Sequence, residues 1–139
     1  MEIIANELQT VLENQNVQFT DTVVPGKACT MHRTGSGLVS LKGLTNQCRA
    51  RFKVSFGANI ALPATGTVDA ISLAIAIDGE PIASTTMIVT PAAVEDFFNV
   101  FGAIYLDIPR GCCSQISVRN TSTQAIDVQN ANLIIERVA

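Results

Sequence analysis

Hydrophobic and polar residues alternate most clearly from Arg49 to Leu62. Ala50, Phe52, Val54, Phe56, Ala58, Ile60 and Leu62 are interleaved there with Arg49, Arg51, Lys53, Ser55, Gly57, Asn59 and Ala61. A period of two sends successive side chains to opposite faces, so the pattern predicts a strand with one face in a core. Ile71, Leu73, Ile75 and Ile77 repeat it and stop at Asp78-Gly79-Glu80-Pro81, a strand running into a turn. Further runs from Val17 to Phe19, Ala28 to Arg33, Gly37 to Lys42, Ser84 to Val89, Phe97 to Ile108, Cys112 to Asn120 and Ile126 to Val138 bring the total to about nine strands. The separators are short and turn-forming: Pro25-Gly26, Gly35-Ser36-Gly37, Pro63-Ala64-Thr65-Gly66, Pro109-Arg110-Gly111 and Asn120-Thr121-Ser122-Thr123.

At the N-terminus two readings stand. Ile4, Leu8 and Val11 fit a helical stripe, which would make a small oligomerisation stalk, while Ile4, Leu8 and Leu12 fall on one face of an extended segment. Thr10 and Val11 favour extension, and Asn14-Gln15-Asn16 reads as a turn, so residues 1–15 are taken as an arm or first strand. No linker or internal repeat interrupts the 139 residues, and many short strands at regular spacing predict one all-β domain, an antiparallel two-sheet sandwich or jelly roll.

Composition narrows the partners. The chain is 47% hydrophobic and only 15% charged, so some apolar surface is expected to meet another chain. Charges interrupt every hydrophobic run before the roughly 20 apolar residues of a membrane helix, which argues against a membrane partner. The net charge of −3 offers no field for nucleic acid. Met1-Glu2-Ile3-Ile4 lacks the basic start and apolar core of a secretory leader, which predicts a chain complete as made and synthesised in a cytoplasm.

Candidate chemistry is sparse. His32 is the only histidine, so any Ser-His-Asp or Cys-His mechanism must use it. In a strand from Ala28 to Arg33, Cys29 and Met31 share one face and Thr30 and His32 the other, which separates thiol from imidazole and makes His32 a solvent-facing structural residue. Cys29, His32, Cys48 and one of Cys112 or Cys113 are a suitable ligand set for zinc, but no Cys-x-x-Cys knuckle is present. The alternative places Cys29, Cys48 and Cys112 on core faces as free thiols, with Cys113 facing outward beside Gln115 and Ser117, open to reaction or to an intersubunit bridge. The carboxylates are scattered singly except for Glu95-Asp96, whose neighbours in a strand would point apart, and the phosphate-loop and nucleophile-elbow patterns are absent. No enzyme activity and no cofactor are expected.

Two surfaces stand out instead. Arg49, Arg51 and Lys53 line the polar face of one strand, either as a solvated face paired with acids on the next strand or as a docking surface for an acidic partner or charged glycan. From Phe97 to Ile108 both faces are apolar: Phe98, Val100, Ile104, Leu106 and Ile108 on one, Phe97, Phe101, Ala103 and Tyr105 on the other. A sandwich strand buries one face in its own core, so the second is covered by a loop of the same chain or by another subunit.

The segments Asn16-Val17-Gln18-Phe19-Thr20-Asp21, Gly37-Leu38-Val39-Ser40-Leu41, Ala50-Arg51-Phe52-Lys53-Val54-Ser55-Phe56 and Ala131-Asn132-Leu133-Ile134-Ile135-Glu136-Arg137-Val138 resemble the TNF-like jelly-roll family. The likeness is nearest to small proteins of Firmicutes phages and prophages, and more distant to the trimeric heads of bacterial collagen-like filaments. It implies a ten-stranded jelly roll and a homotrimer with Phe97, Phe101 and Tyr105 near the three-fold axis. The filament-capping heads follow a Gly-x-y repeat, which this chain lacks. The resemblance therefore suggests a capsid decoration protein bound to the major capsid protein on the virion exterior. The alternative is a trimeric binding module whose loops at Pro63 to Thr67 and Asn120 to Gln124 meet a host glycan.

Overall fold

The computed structural model describes residues 1–26, 30–43, 49–109 and 113–139. These form twelve strands and one short 3-10 turn, with no α-helix among the described residues. The strands are β1 (Glu2–Ala5), β2 (Gln9–Val11), β3 (Asp21–Val24), β4 (Thr30–His32), β5 (Val39–Lys42), β6 (Arg49–Ala61), β7 (Ile71–Ile77), β8 (Glu80–Pro81), β9 (Met87–Val89), β10 (Phe98–Pro109), β11 (Cys113–Asn120) and β12 (Ile126–Arg137).

They pair into two six-stranded antiparallel sheets. The first has the order β10-β6-β12-β1-β3, with β2 also on β12; the second has the order β4-β5-β11-β7-β8, with β9 also on β7. β1 and β2 share one edge of β12, opposite its bulge, where the register shifts between Gln129 and Asn132 and Asn130 adopts a positive φ of 56°. The arm is thus two strands, not a stalk. Its core residues are Ile3, Ala5 and Val11, while Leu8 and Leu12, which the sequence pattern sets on one extended face with Ile4, are exposed.

The core lies between the sheets. β6 contributes Ala50, Phe52, Val54, Phe56, Ala58 and Ile60, all inward as the alternation predicts, facing Ile71, Leu73 and Ile75 of β7 and Ile116 and Val118 of β11. The β7–β8 hairpin turns on Asp78 and Gly79, both at positive φ, the two-residue turn whose twist suits flanking strands. On the outer face of β7, Ala74 and Ala76 are buried although a strand of an open sheet would leave them exposed. Arg119, opposite Ala74, reaches along the sheet to donate from Nη1 to the Gly79 carbonyl at 2.6 Å, so its aliphatic stem passes over these small residues.

Val17 to Phe19 is extended but belongs to no strand, in contrast to the sequence expectation. Its backbone is satisfied from the second sheet and the β4–β5 turn: Val17 N–H donates to the Val118 carbonyl at 2.8 Å, and Gly35 N–H donates to the Phe19 carbonyl at 2.8 Å. β2 before it and β3 after it lie in the first sheet, so this piece crosses between layers, carrying Val17 and Phe19 into the core. The expected strand at Ser84 shortens to β9 for a local reason. Thr85 Oγ1 accepts from Ile75 N–H at 2.9 Å and donates to the Ile82 carbonyl at 2.7 Å, which holds Ala83–Thr85 in a 3-10 turn.

Phe56 is fully buried edge-on to Phe19, so Phe56→Ala removes a large side chain from the contact between the layers. Urea unfolding should show a loss of about 3–5 kcal/mol. An exposed control, Met31→Ala, should stay within about 0.5 kcal/mol of the parent.

Candidate functional site

Two exposed regions gather the unusual side chains: the outer face of the first sheet and one end of the sandwich.

On the outer face, strand register sets the neighbours. β10 is an edge strand with Phe101, Ala103 and Tyr105 pointing out, opposite Gly57, Ser55 and Lys53 of β6. β12 adds Asn132 beside Gly57, Ile134 beside Ser55 and Glu136 beside Lys53. Phe101 is 68% exposed, Tyr105 61% and Ile134 41%, high values for an aromatic pair and an isoleucine on one sheet face. A Cβ at residue 57 would stand 3.8 Å from the Phe101 ring, so Gly57 leaves a shallow floor beside it. On the inward side Gly102 admits the 3-10 turn, since a Cβ there would come within 3.2 Å of the Thr85 carbonyl oxygen and 3.3 Å of Met87. Phe97 precedes β10 and lies in the connection to it, exposed.

The opposite edge of the same sheet is apolar too. All four residues of β3 are exposed, Val23 and Val24 among them, so both faces of that strand lack cover.

The basic stripe resolves into separate groups. Arg51 forms a two-point pair with Asp107 on β10, Nε to Oδ1 at 2.9 Å and Nη2 to Oδ2 at 3.3 Å. Its hydrogen bond to Asp107, aided by the carboxylate charge, raises the Arg51 pKa above its ordinary value. Lys53 is exposed between Tyr105 and Glu136. The Arg49 side chain, with Cys29, Cys48 and Cys112, lies outside the described residues.

His32 departs from the expected solvent-facing position. Thr30 and His32 do share a face, but it is the inner one: Thr30 is buried, Met31 is exposed and His32 is half-buried. The imidazole stands edge-on to Phe19 with centroids 6.3 Å apart, and Nε2 is 2.9 Å from the Ser36 carbonyl. Nδ1 is buried with no hydrogen-bond partner among the described residues. Cys113 is exposed on β11. Ser117, expected on the exposed face with it, is buried. Among the described residues no three His, Cys, Asp or Glu side chains form a group able to hold a metal ion. No described helix is long and apolar enough to cross a membrane, which says nothing of a β-barrel.

The end of the sandwich at Ala61, Asn120 and Ile126 is built from the connections 12–16, 62–70, 90–97 and 121–125. Sequence reasoning picked two of these, and the structure joins them. Gln124 Oε1 accepts from Thr67 N–H at 3.0 Å while Gln124 Nε2 donates to the Thr67 carbonyl at 2.8 Å. Asn120, fully buried, donates from Nδ2 to the carbonyls of Val11 at 3.0 Å, Leu12 at 3.3 Å and Gln124 at 2.9 Å, and its Oδ1 accepts from Ser122 N–H at 2.9 Å. Sequence reasoning missed this hub because an asparagine beside Thr121 and Ser122 reads as an exposed turn. Glu95 N–H donates to the Leu62 carbonyl at 2.8 Å, which ties in the fourth loop, and Glu95 adopts a positive φ of 62°.

Two packed antiparallel sheets with this strand order define a jelly-roll sandwich. Solved structures place it more finely. The chain is similar to Eiger TNF from S. frugiperda, with a TM-score of 0.68 and 14% identity over 100% of this chain and 92% of that one. It is similar to the globular domain of the zebrafish complement 1qA protein, with a TM-score of 0.64 and 14% identity over 96% and 93% of the two chains. Murine APRIL matches with a TM-score of 0.61 and 8% identity over 95% of each chain. No protein-family model and no curated protein sequence matches the chain. The fold is a TNF-like jelly roll, as the sequence resemblance implied, with twelve strands among the described residues in place of the nine or ten expected.

The reciprocal amide pair at Gln124 predicts that Gln124→Ala releases the 62–70 loop while leaving the core intact. Hydrogen exchange at the Thr67 amide should accelerate, with exchange at Phe56 and Val118 unchanged.

Proposed function

We propose that this chain is a non-catalytic binding and assembly module that works as a homotrimer. One observation carries the reading: opposite edges of a single sheet, β10 with Phe101 and Tyr105 and β3 with Val23 and Val24, both expose apolar side chains. A contact between two different patches of identical chains is heterologous, and such contacts close into rings when the rotation allows. Placing β10 of one copy against the β1/β3 side of the next covers both edges at once. Three copies is the ring size implied by the TNF-like resemblance. Tyr105 suits the seam because its ring buries area while its hydroxyl keeps a polar contact. The arrangement also puts Lys53 and Glu136 at the margin of the seam, so the basic stripe is partly an assembly surface.

Light scattering coupled to gel filtration tests the assembly. A trimer has three times the 14.8 kDa chain mass, about 44 kDa. Phe101→Asp with Tyr105→Asp should shift the particle to the monomer mass with an unchanged far-ultraviolet spectrum, and a wild-type monomer would remove the proposal.

The resemblance to small phage and prophage proteins favours a setting on the outside of a phage head, with the major capsid protein as partner. A trimer suits that role, since three identical weak contacts made together hold far more tightly than one. Co-sedimentation with heads of the encoding phage tests it. The wild-type trimer should pellet with the heads to a saturating ratio; a trimer left wholly in the supernatant argues for the alternative module that attaches to a host surface.

A further inference from the structure

We propose that the seam between copies is keyed by one side chain: Val24 of one copy enters a slot over Ala103, between Phe101 and Tyr105, of the next. The proposal rests on the homotrimer reading above and names the contact that sets its register.

The slot is built by parity. Phe101, Ala103 and Tyr105 lie on the outer face of β10, all exposed, with the smallest of the three in the middle. Four residues of strand hold the two rings about 13 Å apart, room for one branched aliphatic side chain between them. The Phe101 ring leans across the sheet towards Gly57, 3.8 Å from a Cβ placed there, and the exposure of Ala103 shows that neither ring closes over it. Ser55 of β6 stands opposite Ala103, half-buried and uncharged. On the inner side of the same stretch Ile104 and Leu106 are only half-buried, so this edge lacks full cover on both faces.

Register chooses the occupant. Ala103 pairs with Ser55, Ser55 with Ile134, Ile134 with Glu2 and Glu2 with Val24, so one row crosses the sheet from edge to edge. Cross-strand partners share a face, which puts Val24 on the outer face with Ala103. The register shift between Glu2 and Ile3 makes Val23 the extra residue of β3, so Val24 and not Val23 ends the row. Opposite edges of one sheet lie side by side along their length only when the rotation axis of the ring runs along the strands. Rotation about such an axis keeps every level, so the Val24 end of the row meets the Ala103 end of the same row in the next copy. The five strands from β10 to β3 alternate in direction, so the meeting edges run parallel. Pro25, directly after Val24, has no N–H with which to extend a ladder. The seam is therefore a contact of side chains rather than a continued sheet.

Exchanging the volumes of the two side chains is the test, read as mass against concentration by light scattering coupled to gel filtration. Ala103→Val fills the slot and Val24→Ala shortens its occupant. Both positions are exposed in the single chain, so far-ultraviolet spectra should match the parent. Ala103→Val should raise the concentration at which the trimer half-dissociates at least about tenfold, and the double variant should recover most of that loss. Ile88→Ala, an exposed change on the other sheet, should leave the trimer unchanged. A wild-type trimer that Ala103→Val does not weaken, that Ile88→Ala weakens as much, or whose loss Val24→Ala does not recover overturns the keyed contact and leaves the trimer reading standing. A wild-type monomer at every concentration overturns that reading and the contact with it.

Discussion

The contact between Phe19 and Phe56 is where the two layers are fastened. The rings meet edge-to-face at 6.3 Å and an interplanar angle of 80°, with no exposure of either side chain. Phe56 belongs to the longest strand of the first sheet, while Phe19 rides on the segment that leaves that sheet to bond with the second. The crossing belongs to no sheet ladder, so burial of Val17 and Phe19, together with the hydrogen bonds to Val118 and Gly35, fixes its path. Through that path come the positions of the β4–β5 turn, which bonds to Phe19, and of His32, whose ring uses another edge of the same phenyl group.

Alternation made most of the fold legible before any coordinates. β6, β7, β11 and β12 lie within a residue or two of their expected bounds, because each is long enough for the period of two to outweigh local noise. The failures have separate physical causes. Val17 to Phe19 has strand-like composition, but sheet membership depends on distant partners. Leu8 and Leu12 are apolar but exposed, because the β12 bulge breaks the arm into two strands and changes which side chains face inward. His32 lies inward rather than toward solvent because alternation along a short strand from Ala28 to Arg33 does not say which face is the core.

The surfaces were less legible than the core. The two-faced character of β10 could be read directly, since apolar residues at both parities call for a cover beyond the second sheet, from a loop of the same chain or from another subunit. Phe101 and Tyr105 do share an exposed face. The exposed valines of β3 could not be found that way, because Asp21-Thr22-Val23-Val24 reads as an ordinary short segment until its edge position is known. The loop end depended still more on the fold: its four segments are far apart in sequence, and only the strand order brings them to one end of the sandwich.

The connections at the four-loop end carry no Lys or Arg, which bears on proteolysis. Exposed loops are where proteases nick folded domains. Enzymes that cut after Lys or Arg find no site in the connections 12–16, 62–70, 90–97 or 121–125. A domain that presents those loops outward offers trypsin-like enzymes no cleavage point in them.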